Sequence, residues 1–123
     1  MKEGFLVKQG GLVKNWKKRW FVLQGNNLQY FENDDKLKLK DTISLLNCQI
    51  MPYDNMIKDK EFCIQIEGSG KRTYYVCASN AVDQKEWINA LVRGSIWSPL
   101  IPDTTVKDEK QVWYFVFKNE FLY

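Results

Sequence analysis

The side chains best suited to chemistry crowd into one stretch, KEGFLVKQGGLVKNWKKRWFVLQGNNLQYF, residues 2–31. Lys8, Lys14, Lys17, Lys18 and Arg19 fall within twelve positions that contain no acidic residue. Ammonium and guanidinium groups gathered on a rigid scaffold suit a compact, highly charged anion such as a phosphorylated ligand. That is recognition, not turnover. The chain has no histidine and no recognisable nucleophile or metal-ligating motif, so it is expected to be no enzyme and to need no cofactor or metal. Gly68-Ser69-Gly70-Lys71 fails the spacing of a phosphate-binding loop, because position 65 is Gln65. It is expected to be a hairpin turn.

Charge distribution supports local anion recognition. Net charge is +3, but residues 1–20 hold six Lys/Arg against one Glu and the remainder holds twelve against fourteen acids. A basic end on a near-neutral body disfavours a general nucleic-acid coat, which would be broadly basic. No apolar run approaches the about eighteen residues of a membrane span, so any bilayer contact is expected to be peripheral. Cys48, Cys63 and Cys77 sit in apolar runs without a C-x-x-C pair and are expected to be buried thiols.

Alternating aromatic and β-branched runs predict strands near 3–9, 16–24, 28–32, 42–46, 48–52, 61–67 and 72–78. Gly25-Asn26-Asn27 is turn chemistry between the second and third. The charged segments 33–41 and 52–60 are expected to be connections. The period then changes: residues 80–93 put Trp87, Ile88, Leu91 and Val92 on one helical face, with Asn80 as cap and Gly94 as stop. Strands without intervening helices imply an antiparallel sheet, with the last helix covering an open end. Residues 96–123 read as a linker followed by the aromatic run QVWYFVFKNEFLY, expected to be packed and similar in pattern to residues 20–30, as the start of a second, truncated domain would be.

Strand parity sharpens the basic cluster, since residues i and i+2 share a face. Lys8 shares a face with Leu6, Lys17 and Arg19 with Phe21 and Leu23, and Tyr30 with Leu28. Three neighbouring strands thus carry apolar groups toward a core and polar or cationic groups on the same face near one rim. Inward charge at a barrel mouth is costly unless used, which points to a ligand pocket there.

These residues resemble the pleckstrin homology family. The motif K-x-G-x-L-x-K-x-G is Lys2, Gly4, Leu6, Lys8 and Gly10; W-K-x-R-W-F-x-L is Trp16, Lys17, Arg19, Trp20, Phe21 and Leu23; the helical Trp is Trp87. The resemblance covers residues 2–95 and implies a mostly β fold: a bent seven-stranded antiparallel sandwich or barrel capped by one C-terminal α-helix. Gly10 to Phe21 is especially similar to the cytohesin group. The resemblance implies reading of 3-phosphorylated inositol lipids, the 3,4,5-trisphosphate or the 3,4-bisphosphate. Lys8 and Arg19 would grip the 3-phosphate, Tyr30 would reach the 4-phosphate region, and Lys14 the 5-phosphate. Lys17 and Lys40 would add charge. The cytohesin group's extra hairpin between the sixth and seventh strands is missing; Lys71 or Arg72 would stand in for it, and the protein kinase B type is the nearer guide.

The expected partners are a phosphoinositide headgroup and an anionic membrane surface, with Leu12 and Val13 at the loop tip entering the bilayer. The expected setting is the cytoplasm, with recruitment to the plasma membrane. The alternative is a protein-interaction module on the same fold, with a peptide or a small GTPase as partner.

Overall fold

The structure is a computed structural model that describes residues 1–11, 14–53, 59–68 and 72–98. Residue alternation builds β1 (Lys2–Gln9), β2 (Trp16–Gln24), β3 (Asn27–Phe31), β4 (Leu39–Ser44), β5 (Gln49–Tyr53), β6 (Cys63–Glu67) and β7 (Tyr74–Cys77), followed by α1 (Ala81–Ile96). Paired strands run antiparallel.

The strand order is β4-β3-β2-β1-β7-β6-β5, so β4 and β5 lie at opposite ends, yet only residues 45–48 join them. In a flat sheet those ends would stand ~29 Å apart, at about 4.8 Å per strand. The short link can reach about 19 Å at most. The sheet must therefore bend on itself, giving the seven-stranded sandwich expected from sequence.

Leu6, Phe21, Leu28, Ile64, Ile66 and Val76 point into the fold and are almost fully buried. Helix α1 closes one end by packing against β5, β2 and β6. Its predicted apolar face, Trp87, Ile88, Leu91 and Val92, is buried there. Asn80 is the cap: its side-chain oxygen accepts from the Asp83 amide at 2.8 Å. Asp83 in the first turn also complements the helix dipole.

Four local expectations change. The helix runs to Ile96, with Gly94 inside it. A β-carbon at Gly94 would lie 3.0 Å from methyls of Leu23 and Leu45, so this glycine permits close approach rather than ending the helix. Trp97, assigned from sequence to the linker, instead lies over Gly25, whose φ of +59° makes the β2–β3 turn. Asn26 ties this end together, its Nδ2 donating to the carbonyls of Gly94 and Trp97 at 2.8 and 2.9 Å.

Strand β4 starts at Leu39, inside the segment expected to be a connection, because the β3 ladder extends over it. Finally, Cys63 and Cys77 are not thiols: they face each other across β6 and β7 and form a disulfide. The aromatic run 111–123 lies outside the described residues.

Candidate functional site

The uncapped end of the sandwich holds the ends of β1, β3 and β6 and the starts of β2, β4 and β7. Lys8 occupies it from the end of β1. Parity with Leu6 turns Lys8 inward, leaving it only 8% exposed. Its Nζ donates to the Gln9 carbonyl at 3.1 Å and stands over the rings of Tyr30 and Tyr74 at 4.9 and 5.8 Å. Burial, with further contributions from the charges of Arg72 and Arg19, lowers its pKa from 10.5 to about 8; Asp41 opposes the shift. An ammonium so placed is stabilised by an incoming anion, which supplies both countercharge and hydrogen-bond acceptors.

Arg19 sits on β2 opposite Leu6, and Lys17 opposite Lys8. Arg19 is half-buried, with Nη1 donating to the Lys18 carbonyl at 3.3 Å. Lys17 is exposed at the rim. Tyr30 lies opposite Phe21, stacked on it with ring centroids 5.3 Å apart. Burial raises the Tyr30 pKa, with Asp41 and Tyr74 adding to the rise, so its hydroxyl stays a proton donor at neutral pH.

The wall opposite β3 comes from β7. Arg72 lies over the Tyr74 ring at 4.4 Å, and its Nη2 donates to the same Gln9 carbonyl as Lys8, at 3.3 Å. The guanidinium also lies against Gly11 in the β1–β2 loop. Among the described residues, the ion pairs are Lys2–Glu86, Lys36–Glu3 and Lys38–Glu32; none neutralises Lys8, Arg19 or Arg72. The mouth is thus a bowl of converging cations and phenols without an internal countercharge at ion-pair distance.

Parity brought Lys8, Arg19 and Tyr30 together as sequence reasoning expected. Other members of the basic cluster diverge. Lys18 turns to the outer face, over Phe5 at 4.4 Å. Lys14 is exposed and lines an adjoining groove of about 300 Å³ with Gln9, Gly10, Arg72 and Tyr75. Lys40 is exposed and unmatched in the β3–β4 register, where Tyr30 faces Asp41 and Phe31 faces Leu39. Asp41, not Lys40, is the residue opposite Tyr30. Leu12, Val13 and Lys71 lie outside the described residues.

Sequence reasoning left Arg72 as a substitute and did not identify Tyr74 or Asp41. The signal for the first pair was present: Arg72, Tyr74 and Val76 alternate, and Val76 is fully buried. Larger clefts of about 410 and 560 Å³ flank α1, but both are lined by Glu86, and the second also by Glu3 and Asp83. The second has no lining cation and is a poor receptor for an anion; the first also carries Lys2 and Arg93, and its charge is mixed.

Known proteins resemble this chain in sequence and in fold. The mouse dual adapter for phosphotyrosine and 3-phosphotyrosine and 3-phosphoinositide (Mus musculus) is 41% identical over 91 residues, covering 73% of this chain and 31% of the adapter. Mouse cytohesin-4 is 33% identical over 116 residues, covering 77% of this chain and 29% of that protein. The chain therefore spans less than a third of either relative. Among solved structures, the C-terminal PH domain of pleckstrin in complex with D-myo-Ins(1,2,3,4,5)P5 is similar with a TM-score of 0.67 and 27% identity, covering 77% of this chain and 97% of that one. The family model for the PH domain matches residues 1–95, and the chain belongs to that family.

Proposed function

We propose that this chain is a non-catalytic membrane-recruitment module that binds the headgroup of 3-phosphorylated inositol lipids in the bowl around Lys8. The observation that carries the reading is the convergence of Lys8, Arg19 and Arg72, none of which is ion-paired to a carboxylate among the described residues. Lys8 and Arg19 take one phosphate from the β1 and β2 sides. Arg72 takes the β7 side, where its planar fork can grip two oxygens. Tyr30 and Tyr74 supply aromatic walls and phenolic hydroxyls. Lys17 and Lys14 add charge at the rim and in the adjoining groove; Lys40 contributes at longer range.

The fold accommodates a peripheral mode: no described helix is long and apolar enough to cross a membrane. Leu12 and Val13 in the β1–β2 loop enter the lipid surface, while the chain docks from the cytoplasm on the plasma membrane. The 41% identical adapter is named for 3-phosphoinositide, and the pleckstrin domain was solved with an inositol pentakisphosphate; both support the same ligand class here.

The test is co-sedimentation with liposomes carrying each phosphoinositide in turn. The parent chain should favour 3-phosphorylated lipids, and Arg19→Ala should lose about a hundredfold in affinity, as expected for two charge-assisted hydrogen bonds. Equal binding to every anionic liposome, with strong salt dependence, would replace this reading with diffuse anion or nucleic-acid attraction.

A second reading, a protein-interaction module, has one observation in its favour. Phe5, Trp20, Phe31 and Leu39 stand in direct cross-strand register on the outer face. Phe5 and Leu39 are exposed large apolar residues. Retained partner binding after Arg19→Ala, lost on Phe5→Ser, would favour it.

A further inference from the structure

Among the described residues, the bowl has a group of the wrong sign for phosphate. Strand β4 pairs with β3 so that Leu28 faces Ile43 and Tyr30 faces Asp41. Ile43 and Tyr30 are buried on the inner face. Asp41, two residues before Ile43 on the same strand, has the same parity and lies at the rim beside Tyr30. The register then breaks and leaves Lys40 unmatched. The β4 wall therefore presents a carboxylate where the sequence suggested a lysine.

Its geometry leaves it able to act on a ligand. Asp41 is exposed at the mouth, and its Oδ1 accepts from the Thr42 amide at 2.8 Å, which orients the carboxylate. No described salt bridge involves it. It influences the inward groups electrostatically, favouring the charged form of Lys8 and the neutral form of Tyr30. A phosphate brought to the β4 side would meet like charge. A hydroxyl there would instead donate to the carboxylate.

Resting on the headgroup reading above, we infer that Asp41 is a specificity-determining residue that selects an inositol phosphate presenting a free hydroxyl to the β3–β4 wall and rejects a phosphate there. The favoured ligand is then a partially phosphorylated ring. Its phosphates face β1, β2 and β7, and an unesterified position faces β4. The inference concerns discrimination rather than total affinity, because the cations remain the source of attraction.

Calorimetric titration of parent and Asp41→Asn with soluble inositol 1,3,4-trisphosphate and inositol hexakisphosphate tests it. The hexakisphosphate has no free hydroxyl, so every orientation puts a phosphate against the β4 wall. Asp41→Asn keeps the shape and the acceptor for the Thr42 amide. It should raise hexakisphosphate affinity by on the order of tenfold and change trisphosphate affinity by less than about threefold. Asp34→Asn, which removes the same charge from the β3–β4 connection, should leave the ratio of the two affinities unchanged. An unchanged ratio for Asp41→Asn, or an equal gain for both ligands, would overturn the selective role while leaving the pocket intact. If the parent bound neither compound, the headgroup reading would fail and the inference with it.

Discussion

The two ends of the sandwich bury their polar groups to opposite effect. At the capped end, Asn26 donates to two carbonyls, Trp97 covers Gly25, and Trp87 on the inner face of the helix is 1% exposed. At the open end, Lys8 is 8% exposed and its pKa is lowered by that burial, and Arg72 shares the Gln9 carbonyl with it. One end is internally satisfied. The other holds buried charge whose best partner would be an external anion. Under the proposed function, stability and binding belong to opposite ends of one small domain, so substitutions should separate them.

The largest effect should come from the capped end. Trp87→Ala removes a buried aromatic ring beneath β1 and should cost about 3–5 kcal/mol of stability. The denaturation midpoint should fall steeply, while the fraction still folded keeps its headgroup affinity. A selective loss of binding without loss of stability would erase the division between the two ends.

Lys8→Met should do the reverse. It keeps an unbranched stem in place but removes the desolvated charge. Headgroup affinity should fall about a hundredfold, as for loss of two charge-assisted contacts. Thermal stability should hold or rise, because a costly buried ammonium has been replaced by an apolar group. A parallel fall in both measurements would mean that Lys8 is part of the structural core rather than the receptor.

Arg72→Ala should weaken headgroup binding by about tenfold, less than Arg19→Ala, because Arg72 is exposed and its two-pronged grip on the β7 wall is screened by solvent. Arg72→Lys should recover the charge but not the two-pronged grip. Titration of the three proteins at one ionic strength separates these terms; full rescue by Lys would reduce Arg72 to a general charge. Smallest of all, Lys36→Ala removes a cation paired with Glu3 at 3.3 Å on the exposed β3–β4 connection. It should change headgroup affinity by less than about twofold, since exposed pairs contribute little. A loss equal to that of Lys8→Met would make attraction diffuse.

The legible parts of the sequence were those governed by local periodicity. Leu6 with Lys8, and Leu28 with Tyr30, follow the two-residue repeat, and the buried helix face follows the 3.6-residue repeat. Register is a different kind of information. NDDKLKLKD reads as a solvated loop, yet pairing with β3 makes Leu39–Asp41 a strand and sets Asp41 beside Tyr30. Cys63 and Cys77 became partners because β6 and β7 align them, a relation no run of neighbours reveals. Gly94 read as a helix stop because its intrinsic propensity is poor. Close approach to Leu23 and Leu45 explains its place inside the helix instead. Arg72 and Tyr74 needed no such long-range knowledge; alternation with Val76 would have assigned them to the bowl.

The most direct measurement of the central claim is NMR titration of the Lys8 ammonium, with and without a soluble inositol phosphate. In the free protein Lys8 should titrate near its lowered value of about 8, rather than at 10.5. Between those values the folded state binds fewer protons than the unfolded state, so this site's contribution to stability rises with pH. Ligand binding has the opposite linkage: it favours charged Lys8, so affinity should weaken as pH rises through about 8 while binding takes up a proton. Saturation with inositol 1,3,4-trisphosphate should therefore move the Lys8 titration upward by at least about one pH unit. That change would correspond to about 1.4 kcal/mol of preferential interaction with the charged form. A Lys8 titration unmoved by saturating ligand would contradict the account, because the bound anion would then lie away from the charge that the bowl is built around.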